Sequence, residues 1–404
     1  MIIGNPIVIG GGSSDGVTEG LFHAVYNAFD RDERDLSDSQ SHPVTEVPME
    51  TFMSGHMETV RFDSCVTIGK SAFASCTSLN EVSFQSCVTV GERAFYGDKG
   101  LTVRFSNLEN VGSSAFMFTS LYVRDGNSLS DVLSKLRFVG DDAFNGALMS
   151  ESYSFDALMP DLESVGSGAF AGMDGMCRSL DLGKVTSENG AFGITSGSSY
   201  VFPYLESVAM SCVTTVPTCM FHDAEKLGTA DIRACVTVED SAFYGCHSLS
   251  AVSAGSVRTV GDSAFEDCFS LSDFSQFSMV ESVGYQAFAI DLSTATAVAT
   301  SSAANAGYAY AETVLNLPRL SQVGYQAFRG RSFAIVSLPS LQELGELAFE
   351  ECTIVSLYLM GPSVPSIGSS AFYGATGPET VYVPESMVDA YMDTSLSDFN
   401  VVGV

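Results

Sequence analysis

Ten cysteines, five histidines and 48 acidic residues are the side chains through which this 404-residue sequence could do chemistry. Their spacing argues against most of it. No Cys-x-x-Cys and no His-Glu-x-x-His occurs, so zinc knuckles, thioredoxin-type redox sites and metalloprotease helices lack their ligand spacing. The five histidines (His23, His42, His56, His222, His247) recur at no fixed interval. Cys219 with His222, and Cys246 with His247, are near enough in sequence to suggest a nucleophile or ligand pair. The other pattern is stronger. Cys65, Cys87, Cys212 and Cys235 each precede Val-Thr, whereas Cys76, Cys246, Cys268 and Cys352 each lie three residues after a phenylalanine. Cysteines at equivalent places read as small buried residues with a weak donor. Gly10–Gly16 and Gly166–Gly168 lack the strand-to-helix setting of a phosphate-binding loop. The carboxylates, Asp141 and Asp142 included, show no acid/base pair spacing. The expectation is no catalytic residue, no metal, no cofactor and no enzyme.

Charge narrows the partners. Forty-eight Asp+Glu against 18 Lys+Arg give a formal charge of −30, which opposes binding to nucleic acid phosphates. With 46% hydrophobic residues the chain is too apolar to stay unfolded. No stretch approaches the ~20 apolar residues needed to span a bilayer, so no membrane insertion is expected. The segment Met1–Gly10 has no Lys or Arg ahead of its short apolar run and reads as a poor secretory signal.

The elements that position these residues are set by an internal repeat. Ile/Val-Gly-x-x-Ala-Phe ends at Phe73, Phe95, Phe116, Phe144, Phe170, Phe265, Phe288, Phe328, Phe349 and Phe372, the Ile/Val position being Leu344 in the copy ending at Phe349. Degenerate copies end at Phe52, Phe192, Phe221 and Phe243, making fourteen. Most Phe-to-Phe spacings are 21 to 23 residues, and the longest is the 40 between Phe288 and Phe328. A period of this size is that of a leucine-rich-repeat-like solenoid. About ten residues after each phenylalanine comes a short alternating run such as Val82-Ser83-Phe84 or Leu357-Tyr358-Leu359, which reads as a half-buried strand. The glycine of Val-Gly is expected to make a tight turn. The following x-x-Ala-Phe-x-x-Cys is expected to form a helical or 3-10 turn. The fold class is therefore an α/β solenoid: a right-handed superhelix of about fourteen coils, with a parallel sheet on its concave face and short helical turns opposite. Stacked phenylalanines form its spine.

The strand followed by Val-x-x-Ile/Val-Gly-x-x-Ala-Phe-x-x-Cys-x-x-Leu resembles the BspA-like leucine-rich repeat family of bacterial and protist surface proteins. The tail Val381–Tyr391 is similar to that family's last strand and capping helix. The resemblance implies non-catalytic binding or adhesion at a cell surface, with a protein or glycan as partner. A structural or receptor-binding component of a phage virion is the alternative, since a virion protein needs no secretory signal. A cytoplasmic scaffold is a third reading.

Three segments are expected. Residues 1–44 form an arm and an amphipathic capping helix, residues 45–383 the solenoid with an insertion at 289–311, and residues 384–404 a C-terminal cap. A monomer is expected. If the strands stack, their outward residues form one row: Arg61, Ser83, Arg104, Tyr122, Ser154, Asp181, Val201, Asp231, Ser253, Ser275, Asn316, Ser337, Tyr358 and Tyr382. Of these, Arg61, Arg104, Tyr122, Asp181, Asp231, Asn316, Tyr358 and Tyr382 are the candidate partner-binding residues. Tyr308 and Tyr310 of the insertion join them.

Overall fold

The computed structural model describes residues 34–38, 43–98, 100–123, 128–147, 153–154, 159–166, 168–170, 177–181, 202, 204–210, 213–291 and 313–404. The expected capping helix near residues 18–29, the copy ending at Phe192 and nearly all of the 289–311 insertion lie outside these residues. The chain divides into two compact units, Met1–Leu180 with Lys184–Ile194, and Asp181–Gly183 with Thr195–Val404.

Each unit is a parallel-strand β-solenoid with little helix. In the first, the strands Asp35–Ser37, Thr59–Arg61, Glu81–Phe84, Gly100–Phe105 and Ser120–Tyr122 form one parallel sheet. Leu36, Val60, Val82 and Val103 are in register and buried, so the alternation seen in sequence turns every second residue into the core. The two-residue strands Glu46–Val47, Thr67–Ile68, Thr89–Val90, Asn110–Val111, Phe138–Val139 and Ser164–Val165 form a second sheet on another side of the coil. Tyr153–Ser154 pairs with Cys177–Asp181. The second unit repeats the plan. Seven two-residue strands from Thr215–Val216 to Ser366–Ile367 make one sheet, and Val314–Asn316, Ser332–Ser337, Thr353–Tyr358, Thr380–Val383 and Asn400–Gly403 make another. Asn400–Gly403 adds a strand from within the C-terminal cap, after the helix Val388–Met392.

The third side of the coil corrects the sequence reading. Gly69–Cys76 is neither helical nor 3-10. It is a run of overlapping turns in which residues alternate between local and inter-coil hydrogen bonds. Ala72, Ala74 and Cys76 donate their N–H to the carbonyls of Gly69, Ser71 and Phe73, whereas Ser71, Phe73 and Ser75 donate to Glu92, Ala94 and Tyr96 of the next coil, each at 2.8 Å. Ser71 and Ser75 sit at φ 53° and 59°, as a turn with a left-handed third residue requires. The same two positions, two residues either side of the phenylalanine, are left-handed in coil after coil, filled by Arg93 and Gly97, Ser114 and Phe118, or Leu347 and Glu351. A helix would satisfy these donors locally and leave the next coil unpaired.

The Val-Gly glycine also has a different reason from the expected one. At Gly69, Gly112 and Gly140, a Cβ would stand 2.6 Å from Met49 N, 2.7 Å from Glu92 N and 2.6 Å from Ser113 N. Close approach of successive coils, rather than turn conformation, demands glycine there.

Behind this side the phenylalanines stack within each unit. Phe52, Phe73, Phe95, Phe116, Phe144 and Phe170 follow one another at 5.2 to 5.8 Å between ring centroids, nearly parallel. Phe221 to Phe372 do the same at 5.0 to 5.6 Å, including Phe288 on Phe328 at 5.6 Å across the 40-residue spacing. The longest insertion therefore leaves the spine unbroken.

Candidate binding face

The outward residues of the sheets fall into registers that agree only in part with a single row. Ser37, Arg61, Ser83 and Arg104 are aligned. Tyr122 pairs with Thr102 and so stands one row over, beside the Glu81 line. Ser154 pairs with Ser179, which leaves Asp181 out of register with it. Val201 lies outside the described residues, and Ala209 is the residue aligned with Asp231 and Ser253. Ser275 opens the 3-10 turn Ser275–Phe277 and belongs to no strand. Asn316, Ser337, Tyr358 and Tyr382 are aligned, with Val402 continuing the row. Tyr308 and Tyr310 lie outside the described residues.

Charge sets Arg61, Arg104 and Asp231 apart from the residues of the Val314–Gly403 sheet. Arg61 Nε is 2.8 Å from Asp63 Oδ2, and the other oxygen of Asp63 accepts from Ser83 Oγ at 2.6 Å. Arg104 Nη2 lies 3.3 Å from Glu81 Oε1. Asp231 accepts from Arg233 at both oxygens, at 2.9 and 2.6 Å, and these hydrogen bonds hold its carboxyl below the usual carboxylate range. Arg61, Arg104 and Asp231 are thus exposed or half-buried ion-pair members, each already engaged, and such pairs contribute little to stability.

The outward face of the last sheet is different. Val314, Ile335, Ser356, Thr380 and Asn400 form one register, and Asn316, Ser337, Tyr358, Tyr382 and Val402 the next. None of these ten side chains is charged, in a chain carrying 48 Asp+Glu. Val314 and Ile335 are 47% and 37% exposed. The Tyr358 and Tyr382 rings stack at 4.5 Å and 12°. Direct neighbours across parallel strands explain the stack, because the pairing places the two Cβ atoms side by side. Sequence reading found the tyrosines from their alternation. It missed the apolar Val314–Ile335 pair and the absence of charge, both of which need the register to be seen. A second exposed ring stack, Tyr285 on Tyr325 at 5.5 Å, follows the Val-Gly glycines and was also missed.

Among the described cysteines, Cys65, Cys76, Cys87, Cys235, Cys246, Cys268 and Cys352 are buried, whereas Cys219 is half-buried. Cys76, Cys246, Cys268 and Cys352 donate Sγ–H to the Phe52, Phe221, Phe243 and Phe328 carbonyls. Burial pushes the Cys76, Cys268 and Cys352 thiols up to about 12. His247 stacks on Phe269 at 4.8 Å while the Cys246 thiol points into the core, so these neighbours in sequence form no nucleophile pair. His222 stacks on Tyr244 at 4.7 Å, with Nδ1 3.1 Å from Asp223 Oδ2.

Comparison with known proteins agrees with the repeat. The model of the BspA type leucine rich repeat region (6 copies) matches residues 45–177, 194–294 and 300–402. No curated protein matches the sequence. Among solved structures, a leucine-rich repeat protein from Bacteroides ovatus is 15% identical, with 92% of each chain covered and a TM-score of 0.35. The pneumococcal vaccine antigen PcpA is 14% identical over 93% of this chain and 91% of that one, with a TM-score of 0.36. A leucine rich cell surface protein from Faecalibacterium prausnitzii is 16% identical over 92% and 87%, with a TM-score of 0.20. Matched over most of its length by the family model, and built of the coils that the repeat demands, the chain belongs to the BspA type leucine rich repeat family.

Proposed function

We propose that this protein is a non-catalytic adhesion or binding protein of the cell surface. Its partner is a protein or glycan that docks on the outward face of the Val314–Gly403 sheet. The observation that carries the proposal is the uncharged face itself. Water must leave a surface when a partner docks, and stripping an ionised carboxylate without a counter-charge is costly. In a chain of charge −30 the face with no carboxylate is the one most easily desolvated. Tyr358 and Tyr382 add rigid, amphipathic contact area at low entropic cost. Asn316, Ser337 and Thr380 supply donors and acceptors around them.

The test is a screen of glycans and host-surface proteins with the full chain, repeated with a Tyr358→Thr/Tyr382→Thr double variant. Threonine keeps strand propensity and removes the rings. The expected outcome is a loss of about tenfold or more in affinity, with the melting temperature little changed. An Arg61→Ala/Arg104→Ala variant should bind like the wild type. Binding that follows the arginines and ignores the tyrosines would move the site to the first unit.

A further inference from the structure

Three residues after the core phenylalanine, in half of the coils described, stands a side chain that donates a hydrogen bond to the coil before it. Cys76, Thr119, Cys246, Cys268 and Cys352 donate to the carbonyls of Phe52, Phe95, Phe221, Phe243 and Phe328. Arg331 holds the same place and donates Nε to Phe288. Several of these carbonyls also accept an N–H from their own turn, as Phe52 O does from Gly55 and Phe328 O from Arg331. The side chain therefore takes the second lone pair of a buried carbonyl.

Asp98 occupies this position in the coil of Phe95, between Cys76 and Thr119. It is fully buried, and neither carboxyl oxygen has a hydrogen-bond partner. The nearby Cys76 N–H is already directed to Phe73 O at 3.2 Å. The titratable group facing Asp98 is the Cys76 thiol of the preceding coil, which burial keeps neutral, and Thr119 stands in the following coil. Among the described residues no cation pairs with it. An ionised carboxylate only accepts, so it cannot do what the neighbouring positions do. The neutral acid carries one O–H and can.

We propose that Asp98 is held as the neutral acid in the folded protein, its proton donated to Phe73 O, and that this makes the fold a pH-sensitive device, firmer in acid than in mild alkali. Burial acts in the same direction, pushing the carboxyl up to about 8. The folded state then keeps a proton that the unfolded chain releases above its ordinary carboxylate range. Stability from this group therefore falls as pH rises from about 4 to about 8, and is level beyond.

The experiment compares thermal and denaturant unfolding of the wild-type chain with Asp98→Cys, the residue of the preceding coil, and with Asp98→Asn. The variants should gain on the wild type by up to about tenfold in the folding constant per pH unit across that window, and no further above it. A gap that ignores pH, or widens towards acid, overturns the proposal. Lys99→Ala should keep the wild-type pattern; if it abolishes it, an ion pair with Lys99 is the source and the proposal fails. Should the variants not fold, the wild type's infrared spectrum decides. A protonated-carboxyl band must persist at neutral pH and vanish on unfolding, and its absence overturns the assignment.

Discussion

Arg331 donates its Nε proton to the backbone carbonyl of Phe288 at 2.7 Å, from the position that Cys352 occupies one coil later. Its Nη1 and Nη2 reach Leu271 O at 2.6 Å and Cys268 O at 3.2 Å, and the guanidinium lies 5.6 Å from the centre of the Phe274 ring. One buried cation thus ties three successive coils together beside the longest insertion. Burial lowers its pKa to about 10, still charged at neutral pH, with carbonyl dipoles and a ring face in place of a carboxylate partner.

Removing that fork leaves three buried carbonyls short of a donor. Arg331→Ala should destabilise in denaturant unfolding by about 1–3 kcal/mol for each buried carbonyl left unsatisfied. Arg331→Lys should also destabilise, because a point charge cannot address three diverging acceptors. Equal stability of the lysine variant would show that charge, and not the planar fork, is what the site needs.

Two glycine substitutions separate steric from conformational cost. Gly112→Ala would place a Cβ 2.7 Å from the Glu92 nitrogen and should destabilise by about 3 kcal/mol, the upper end of overpacking costs. Gly97 has φ 76° and nothing within 4 Å of its missing Cβ, so Gly97→Ala should lose only about 1 kcal/mol, from backbone strain alone. Chemical denaturation of the two variants gives the ranking.

The converse applies at Leu347, a branched side chain at φ 57°. Leu347→Gly should stabilise the second unit by up to about 1 kcal/mol by relieving left-handed strain. A raised melting temperature checks it, and a lowered one would mean that the leucine's packing outweighs its backbone cost.

Thiol labelling tests the cysteine assignment. Burial pushes Cys76, Cys87, Cys268 and Cys352 up to about 12, so near pH 8 the thiolate needed for alkylation is about one part in ten thousand. Mass spectrometry after iodoacetamide should find these four unmodified in native protein and fully modified in denaturant. Rapid native labelling of Cys268 would contradict its place in the core.

The period, the phenylalanine spine, the alternating strands and the absence of metal-ligand spacing were all legible in the sequence. In a solenoid, residues one period apart become neighbours, so linear spacing maps almost directly onto spatial position. What neighbouring coils require of one another was not legible. Glycine after valine is fixed by the backbone of the previous coil, the turns are left-handed because alternate N–H groups serve the next coil, and Asp98 is intelligible only beside the donors of Cys76 and Thr119. Tyr122 left the expected row through a two-residue offset against Gly100–Phe105, and Ser275 through a 3-10 turn. The uncharged face exists only once five strands are set in register. The sequence determined which residues are core and which face outward. Only the tertiary structure decided which outward residues meet, because that depends on pairing between coils and not on spacing within one.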